Sequence, residues 1–365
     1  MASLNSLFIE KFRGIKSLKI EDLKRINLIV GDNNCGKTSV LEAIQLLRTS
    51  GSFYNAYKIA RQRDALFFYS SSTSFDNFIS MFPKTNDGNC EIKIFGKSNE
   101  NDIAFQLAGR QERILVDKRD LYTARLILER LPEGDIETEA FEGYISLKYG
   151  KKEKRERISL NRFSRISRLP ASSKDEFSIV YVSPFEHLQG NIINRIIRNE
   201  SYKQICLKAL QLFDSDIEDM LIFKSERGNR PVEYLRHKQL GDMQISSYGD
   251  GIKRALALSN AIAGASNGIL LIDEIETEIH KKYYDDIFRF IVKACNSFNV
   301  QAFITTHSIE AIDGLLATQD YEDQSTIDDI SVCTIKKTKE GSFTRVLAGR
   351  EVYENREAFG FEVRL

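Results

Sequence analysis

Apolar residues follow two different rhythms along this chain. Leu7-Phe8-Ile9 and Leu18-Lys19-Ile20 read as short strands separated by a turn at Gly14. Ile26-Asn27-Leu28-Ile29-Val30 is a mostly apolar run of strand length, the pattern of a strand buried on both faces. It stops at Gly31. From Lys37 the spacing turns helical, with Val40, Leu41, Ile44 and Leu47 on one face.

Between Tyr54 and Phe177 the pattern is less legible. Phe67-Phe68-Tyr69, Glu91 to Phe95, Tyr144 to Leu147 and Ile158-Ser159-Leu160 predict short strands among polar turns, and Tyr122 to Leu131 predicts a helix. No heptad pattern runs through it, which argues against a long coiled-coil arm. Two charge blocks adjoin here. One is acidic, from Glu133 to Glu142; the other is basic, from Lys151 to Arg168, interrupted only by Glu153 and Glu156.

Strand character returns at Ser178 to Val182, followed by mostly helical patterning to about Phe213. From Gly249 onward the signals alternate. A helix through Ala255 to Ile262 precedes a strand at Ile269 to Ile272. A helix from about Lys281 to Cys295, a strand at Gln301 to Thr305 and a further helix follow. Such βαβ alternation predicts a parallel sheet covered by helices.

Composition narrows the class. Hydrophobic residues make up 42% and charged residues 28% of 365, which excludes wholesale disorder or a fibrous repeat. Lysine plus arginine equals aspartate plus glutamate at 52 each, so a uniformly basic nucleic-acid protein is excluded, though a local basic face is not. The five cysteines are scattered with no CxxC pair, which argues against a disulfide framework or zinc site and for a reducing compartment. No stretch reaches the length needed to span a bilayer, and the expected location is the cytoplasm.

The segment Gly31-Asp32-Asn33-Asn34-Cys35-Gly36-Lys37-Thr38 fits G-x-x-x-x-G-K-[ST], between a buried strand and a helix. Its glycines let backbone N–H groups turn toward phosphate oxygens at the positive end of the helix. Lys37 can reach the terminal phosphates and the Thr38 hydroxyl can ligate Mg²⁺. Cys35 inside this loop is either an unusually acidic thiol or a spacer valued for its backbone; the spacer reading is preferred.

The run Gly268-Ile269-Leu270-Leu271-Ile272-Asp273-Glu274 is an apolar strand ending in two carboxylates, a Walker B arrangement. Asp273 would hold Mg²⁺ through water or Thr38, and Glu274 would polarise the attacking water. His307, just beyond the strand at Gln301 to Thr305, is placed to donate to a γ-phosphate. Ser246-Ser247-Tyr248-Gly249-Asp250-Gly251 opens another helix and offers free N–H groups to a phosphate. One chain already uses its own phosphate loop, so this second helix start suggests a nucleotide sandwiched between two subunits.

Taken in this order, these elements resemble the ABC-type ATPase heads of the SMC, RecF and OLD (overcoming lysogenisation defect) group. Leu7-Phe8-Ile9-Glu10-Lys11-Phe12-Arg13-Gly14 is similar to that group's opening strand, and Ile272-Asp273-Glu274-Ile275-Glu276 followed by His280 looks like the bacterial OLD-like version. The resemblance implies an α/β P-loop NTPase with a mostly parallel sheet and an N-terminal β subdomain. Residues 1–60 and 178–365 would form a discontinuous head around an insertion of mixed α/β character over 61–177. It also implies ATP and Mg²⁺ as cofactors, with Asn33, Asn34, Gly36, Lys37, Thr38 and Ser39 on the nucleotide and Thr38 with Asp273 on the metal. Glu274 and His307 would be catalytic. Ser247, Gly249 and Gly251 would reach the nucleotide of a second copy in a head-to-tail homodimer.

Glu276 and His280 fall in the stretch that normally crosses such an interface, or are solvent-exposed helix-start residues. Arg13 approaches the nucleotide or a DNA backbone, or pairs with a surface acid. The glutamine loop is not identifiable beyond a faint candidate, Gln62. About sixty residues follow His307, too few for the TOPRIM nuclease domain of OLD nucleases, and Asp285-Asp286 and Asp328-Asp329 are expected to be solvated.

The expected function is a Mg²⁺-dependent ATPase acting as a nucleotide-driven clamp or sensor in DNA-related or anti-phage work, with a separately encoded nuclease or toxin as effector. The alternative is a scaffold or inhibitor subunit whose ATP is structural. A transporter ATPase is disfavoured by the sequence after Asp273-Glu274. The basic stretch from Lys151 is a candidate DNA surface, or a solvated face that answers the acidic block.

Overall fold

The chain builds two six-stranded sheets with a helix packed between them. This is a computed structural model, and it describes residues 3–48, 53–63, 73–85, 87–99, 101–117, 135–164, 178–188, 192–224, 231–323, 325, 327–338 and 341–364. The predicted strand at Phe67 to Tyr69 and helix at Tyr122 to Leu131 lie outside the described residues.

Strands β1 (Leu4–Phe12) and β2 (Ile15–Ile20) form a hairpin closed by Phe12 opposite Ile15, with Arg13 at φ 50° in the turn. Alternate residues Leu7, Ile9, Phe12 and Leu18 are fully buried, the mark of a one-sided sheet. Strand β3 (Ile26–Val30) is buried at every position and leaves this sheet for the second. Helices α1 (Lys37–Leu46), α2 (Phe53–Gln62) and α3 (Ser74–Ile79) follow.

The middle of the chain forms longer strands than the pattern predicts: β4 (Asn89–Ser98), β5 (Asp102–Asp117), β6 (Asp135–Tyr149) and β7 (Lys152–Asn161). They continue the N-terminal sheet in the order β2-β1-β4-β5-β6-β7, antiparallel throughout. Gly109 and Gly143 face each other in the β5–β6 register, and the Phe141 ring lies over both. A Cβ on either would sit within 2.9 Å of that ring and of the opposite backbone, so only glycine fits.

The second sheet has the order β15-β14-β3-β13-β12-β8 and is parallel except at its β14–β15 edge. Its strands are β8 (Ile179–Val182), β12 (Ile269–Ile272), β13 (Gln301–Thr305), β14 (Ile330–Lys337) and β15 (Ser342–Ala348). This is the mostly parallel α/β sheet that the sequence predicts.

Between β8 and β12 lie α4 (Glu200–Leu210), a meander of β9 (Ile217–Lys224), β10 (Pro231–His237) and β11 (Gly241–Gln244), and α5 (Asp250–Gly264). Helices α6 (Tyr284–Ser297), α7 (Ile309–Leu316) and α8 (Gly349–Phe359) complete the chain. The meander, the β14–β15 hairpin and α8 are not legible in the sequence, and the helical patterning after Val182 condenses into the 3₁₀ turn Glu186–Leu188 and α4.

Both faces of the parallel sheet are covered. Leu270, Ile272, Ala302 and Ile304 pack with Leu256, Phe288 and Leu315 of the outer helices. Ile269, Leu271 and Phe303 face α1, whose Val40, Leu41 and Ile44 also meet Leu7, Ile9 and Phe105 of the antiparallel sheet. Helix α1 is therefore the shared core element, and the loop that starts it is held from both sides. Among the described residues, no helix is long and apolar enough to cross a membrane.

Candidate nucleotide site

The loop from Gly31 to Gly36 runs directly out of buried β3. Gly31 has φ 139°, and a Cβ there would lie 2.3 Å from the Ile335 carbonyl oxygen, so only glycine turns here. Asn34 and Gly36 also take positive φ, 63° and 111°. Gly36 opens α1 without a side-chain cap, which leaves the helix N–H groups facing outward for an anion. Lys37 Nζ donates back to the carbonyls of Gly31 and Asp32, each at 2.9 Å. Cys35 is buried, and burial pushes its thiol up, opposed by Lys37. That fits the spacer reading rather than an acidic thiol.

Asp273 stands at the end of β12, beside this loop. Its Oδ1 accepts from Thr38 Oγ1 at 3.2 Å and from Thr305 Oγ1 at 2.6 Å, and its Oδ2 accepts from the Tyr181 hydroxyl at 3.1 Å. Burial and the nearby carboxylate push the Tyr181 phenol up, which keeps it a donor. The sequence reading missed Tyr181 and Thr305, since each reaches Asp273 only through sheet order. A hydroxyl beside a carboxylate is a hard oxygen pair suited to Mg²⁺, which otherwise takes phosphates and water. Among the described residues no cluster of three His, Cys, Asp or Glu side chains forms a metal cage, and Mg²⁺ in such a site needs none.

Glu274 sits next in line with φ 50°, its amide donating to Thr305 Oγ1 at 2.9 Å. Burial, then the carboxylates of Asp273 and Glu276, raise its pKa; His307 and Lys37 pull it down. Both Glu274 and Asp273 line a cleft of about 880 Å³ shared with Asn33, Asn34, Gly36, Lys37, Thr38 and Ser39. Gln62 also lines it and exchanges hydrogen bonds with Gln45.

Arg13 is largely buried and does not line the cleft. It pairs with Glu42, a buried rather than surface acid one turn after Thr38 on α1. Arg63 holds the same carboxylate and donates to Ser39 Oγ at 2.9 Å.

His307 does not line the cleft. Its Nδ1 and its amide nitrogen each lie 2.9 Å from Glu276 Oε1. Glu276 is thus a nearly buried partner of His307, not a solvent-exposed helix-start residue, whereas His280 is exposed and accepts from the Lys282 amide. Ser247 and Gly249 are exposed at the start of α5, with open space over Gly249; neither they nor Gly251 border this chain's own cleft. Asp285 and Asp286 are solvated as expected, but Asp328 is not: it is half-buried, pairs with Lys24 and accepts from the Ile330 amide.

One further residue joins these parts. Arg254 of α5 is fully buried and donates to the carbonyls of Ser183 (2.5 Å), Asp273 (3.1 Å) and Glu274 (3.2 Å). Burial lowers its pKa to about 10. The helix that starts with Gly249 is thereby bolted to the strand end that carries both carboxylates.

Comparison with known proteins places this geometry. A family model described as "AAA domain, putative AbiEii toxin, Type IV TA system" matches residues 26–313. The chain is 21% identical over 345 residues to an ATP/GTP phosphatase of Helicobacter pylori, covering 88% of this chain and 90% of that one. It is 39% identical over 102 residues to the DNA replication and repair protein RecF of Vibrio vulnificus, which is 27% of this chain and 28% of RecF. The Smc head domain with an extended coiled coil, derived from Pyrococcus furiosus, superposes with a TM-score of 0.51 at 12% identity over 99% of this chain and 100% of that one, a likeness of fold. The chain belongs to the AAA-domain family so described, and its fold is like that of the Smc head domain.

Proposed function

We propose that this chain binds and hydrolyses ATP with Mg²⁺, and that two copies close head to tail around the nucleotide. The observation that carries the reading is the meeting of Thr38 and Asp273 at 3.2 Å on the wall of the cleft. A loop hydroxyl and a strand-end carboxylate from opposite ends of the chain converge where a phosphate-bound cation would sit. Lys37 would release the Gly31 and Asp32 carbonyls to reach the terminal phosphates. Thr38 and Asp273 would hold Mg²⁺, which supplies charge neutralisation when bound. Glu274, with its raised pKa, would take the proton of the attacking water.

The paired arrangement is supported by the α5 start. Ser247, Gly249 and Gly251 lie off this chain's cleft, and the uncapped helix offers its N–H groups to an anion from outside. The full-length likeness to an ATP/GTP phosphatase supports turnover. We place the protein in bacterial DNA-related or defence work, with a separately encoded nuclease or toxin as effector. DNA is not assigned to the β7 face: Arg162 pairs with Glu139 and Asp76, Arg157 with Glu142, and Arg155 lies over the Tyr144 ring, so these cations answer their neighbours.

The test uses two variants. Lys37→Ala should abolish ATP binding measured by calorimetry. Glu274→Gln should keep binding, lose hydrolysis by about 100-fold or more, and trap an ATP-bound dimer seen by light scattering. Unchanged turnover in Glu274→Gln would remove the assigned base, and ATP binding without turnover in the wild type would leave a structural nucleotide as the reading.

A further inference from the structure

The cleft is longer than the phosphate loop requires. Phosphates held by the N–H groups of a helix start sit ahead of that helix. Here the cleft also runs beside the body of α1. Gln45 lines it seven residues past Thr38, about 10 Å along the axis at 1.5 Å per residue. The walls of this extension are one face of α2 and the loop that follows β8.

Charge on those walls is one-sided. Tyr54, Lys58 and Arg61 recur at helical spacing on α2 and line the cleft, while Ala56, Ile59 and Ala60 of the same helix are buried. Arg195, from the segment before α4, lines it too, its guanidinium against Gly264 of α5. All three cations are exposed, and among the described residues none of them makes an ion pair. Arg61 meets only Tyr57, lying 5.7 Å from its ring centroid. The acids bordering the same stretch are already engaged. Glu42 holds Arg13 and Arg63, and Glu186 accepts from Ser183 Oγ at 3.3 Å.

The contrast with the β7 face is direct. There Arg157 and Arg162 are answered by carboxylates on neighbouring strands. In a chain with 52 cations and 52 anions, three unanswered cations on one cleft favour an anion from outside the protein. The cleft, about 880 Å³, suits a small ligand, whereas grooves for single-stranded nucleic acid track roughly 4–16 nucleotides.

We propose that Lys58, Arg61 and Arg195 form a subsite for inorganic phosphate, separate from the phosphate loop. Hydrolysis joins the water oxygen to the γ-phosphorus and breaks its bond to the bridging oxygen, which stays with ADP. ADP still fills the loop side, and the partner's α5 start would cover the outer side. The phosphate leaves along the cation-lined side, which these three residues hold open to it. This use in product release rests on the ATPase reading; the subsite itself does not.

The probe is inorganic phosphate, titrated by calorimetry into nucleotide-free protein. Lys37→Ala removes the loop's grip and should leave one phosphate site. Adding Lys58→Gln, Arg61→Gln and Arg195→Gln to that protein should weaken the remaining site by about 10-fold or more. Adding Arg157→Gln instead, an exposed cation outside the cleft, should change it by less than about twofold. In wild-type turnover, phosphate should inhibit without competing with ATP.

Phosphate binding that vanishes with Lys37→Ala alone overturns the subsite, and so does an equal loss from Arg157→Gln. Inhibition competitive with ATP overturns the role in release. A short oligothymidylate that displaces phosphate and binds more tightly overturns the assignment in favour of a nucleic-acid groove. Should the combined variant fail to fold, Lys58→Glu decides in the Lys37→Ala protein. Weakening by about fivefold or more supports the subsite, and unchanged affinity overturns it. A wild type without ATPase activity whose phosphate binding still depends on these cations refutes the ATPase reading and leaves the subsite standing.

Discussion

Arg13 Nε and Glu42 Oε2 lie 2.7 Å apart with side chains only 9% and 1% exposed. The pair joins the first hairpin to the helix that begins at the phosphate loop. Arg63 completes it from α2's end, with Nη2 2.8 Å from the same carboxylate. Breaking a buried pair from one side leaves a charge stranded in a poor solvent, which costs far more than a surface bridge.

Glu42→Ala should therefore destabilise the fold by about 3–5 kcal/mol, measured by urea unfolding. Arg63→Ala, at a half-exposed partner, should cost about 1 kcal/mol or less. Equal effects from the two would mean that burial of the Arg13–Glu42 pair does not dominate.

Arg254 supplies the next expectation. Its removal leaves carbonyls of Ser183, Asp273 and Glu274 without this donor, and opens a cavity beneath α5. Arg254→Ala should cost about 4 kcal/mol or more, large enough to depress soluble yield. Arg254→Lys keeps a cation but not the planar fork that reaches several carbonyls, so it should recover part of the stability and less of the turnover. Full activity in Arg254→Ala would show that the strand end keeps its shape without α5.

The hydroxyls on Asp273 can be removed singly. Tyr181→Phe and Thr305→Val should each weaken Mg²⁺-dependent ATP binding by about 10- to 100-fold, because they orient the carboxylate that would meet the metal. Binding measured in EDTA should change little. Thr305→Val should also loosen Glu274, whose amide it holds, and so lower turnover further than Tyr181→Phe. Equal loss with and without metal would assign these hydroxyls to folding alone.

Much of the site is legible in the sequence because it is local. The phosphate loop needs particular φ angles and a helix start within a few consecutive residues, and Gly31, Gly36, Lys37 and Thr38 meet that need in place. Strands β3, β12 and β13 are equally plain, since burial on both faces writes an unbroken apolar run. The long strands β5 and β6 are not plain: half of each faces solvent, and buried positions such as Thr138 and Ala140 carry polar or small residues that weaken the apolar alternation. The β9–β11 meander is hidden for the same reason, with exposed polar residues along each strand.

What remained was decided by tertiary structure. Asp273 takes its partners from 235, 92 and 32 residues away, at Thr38, Tyr181 and Thr305. They converge because β13, β12 and β8 lie side by side and α1 follows from β3. Arg254 and Glu276 read as ordinary charged residues until the fold buries them against carbonyls and against His307. Local backbone chemistry determined the shape of the Gly31–Thr38 loop by itself. The orientation of the acids and the histidine depends on sheet order and burial, and neither leaves a periodic trace in the chain.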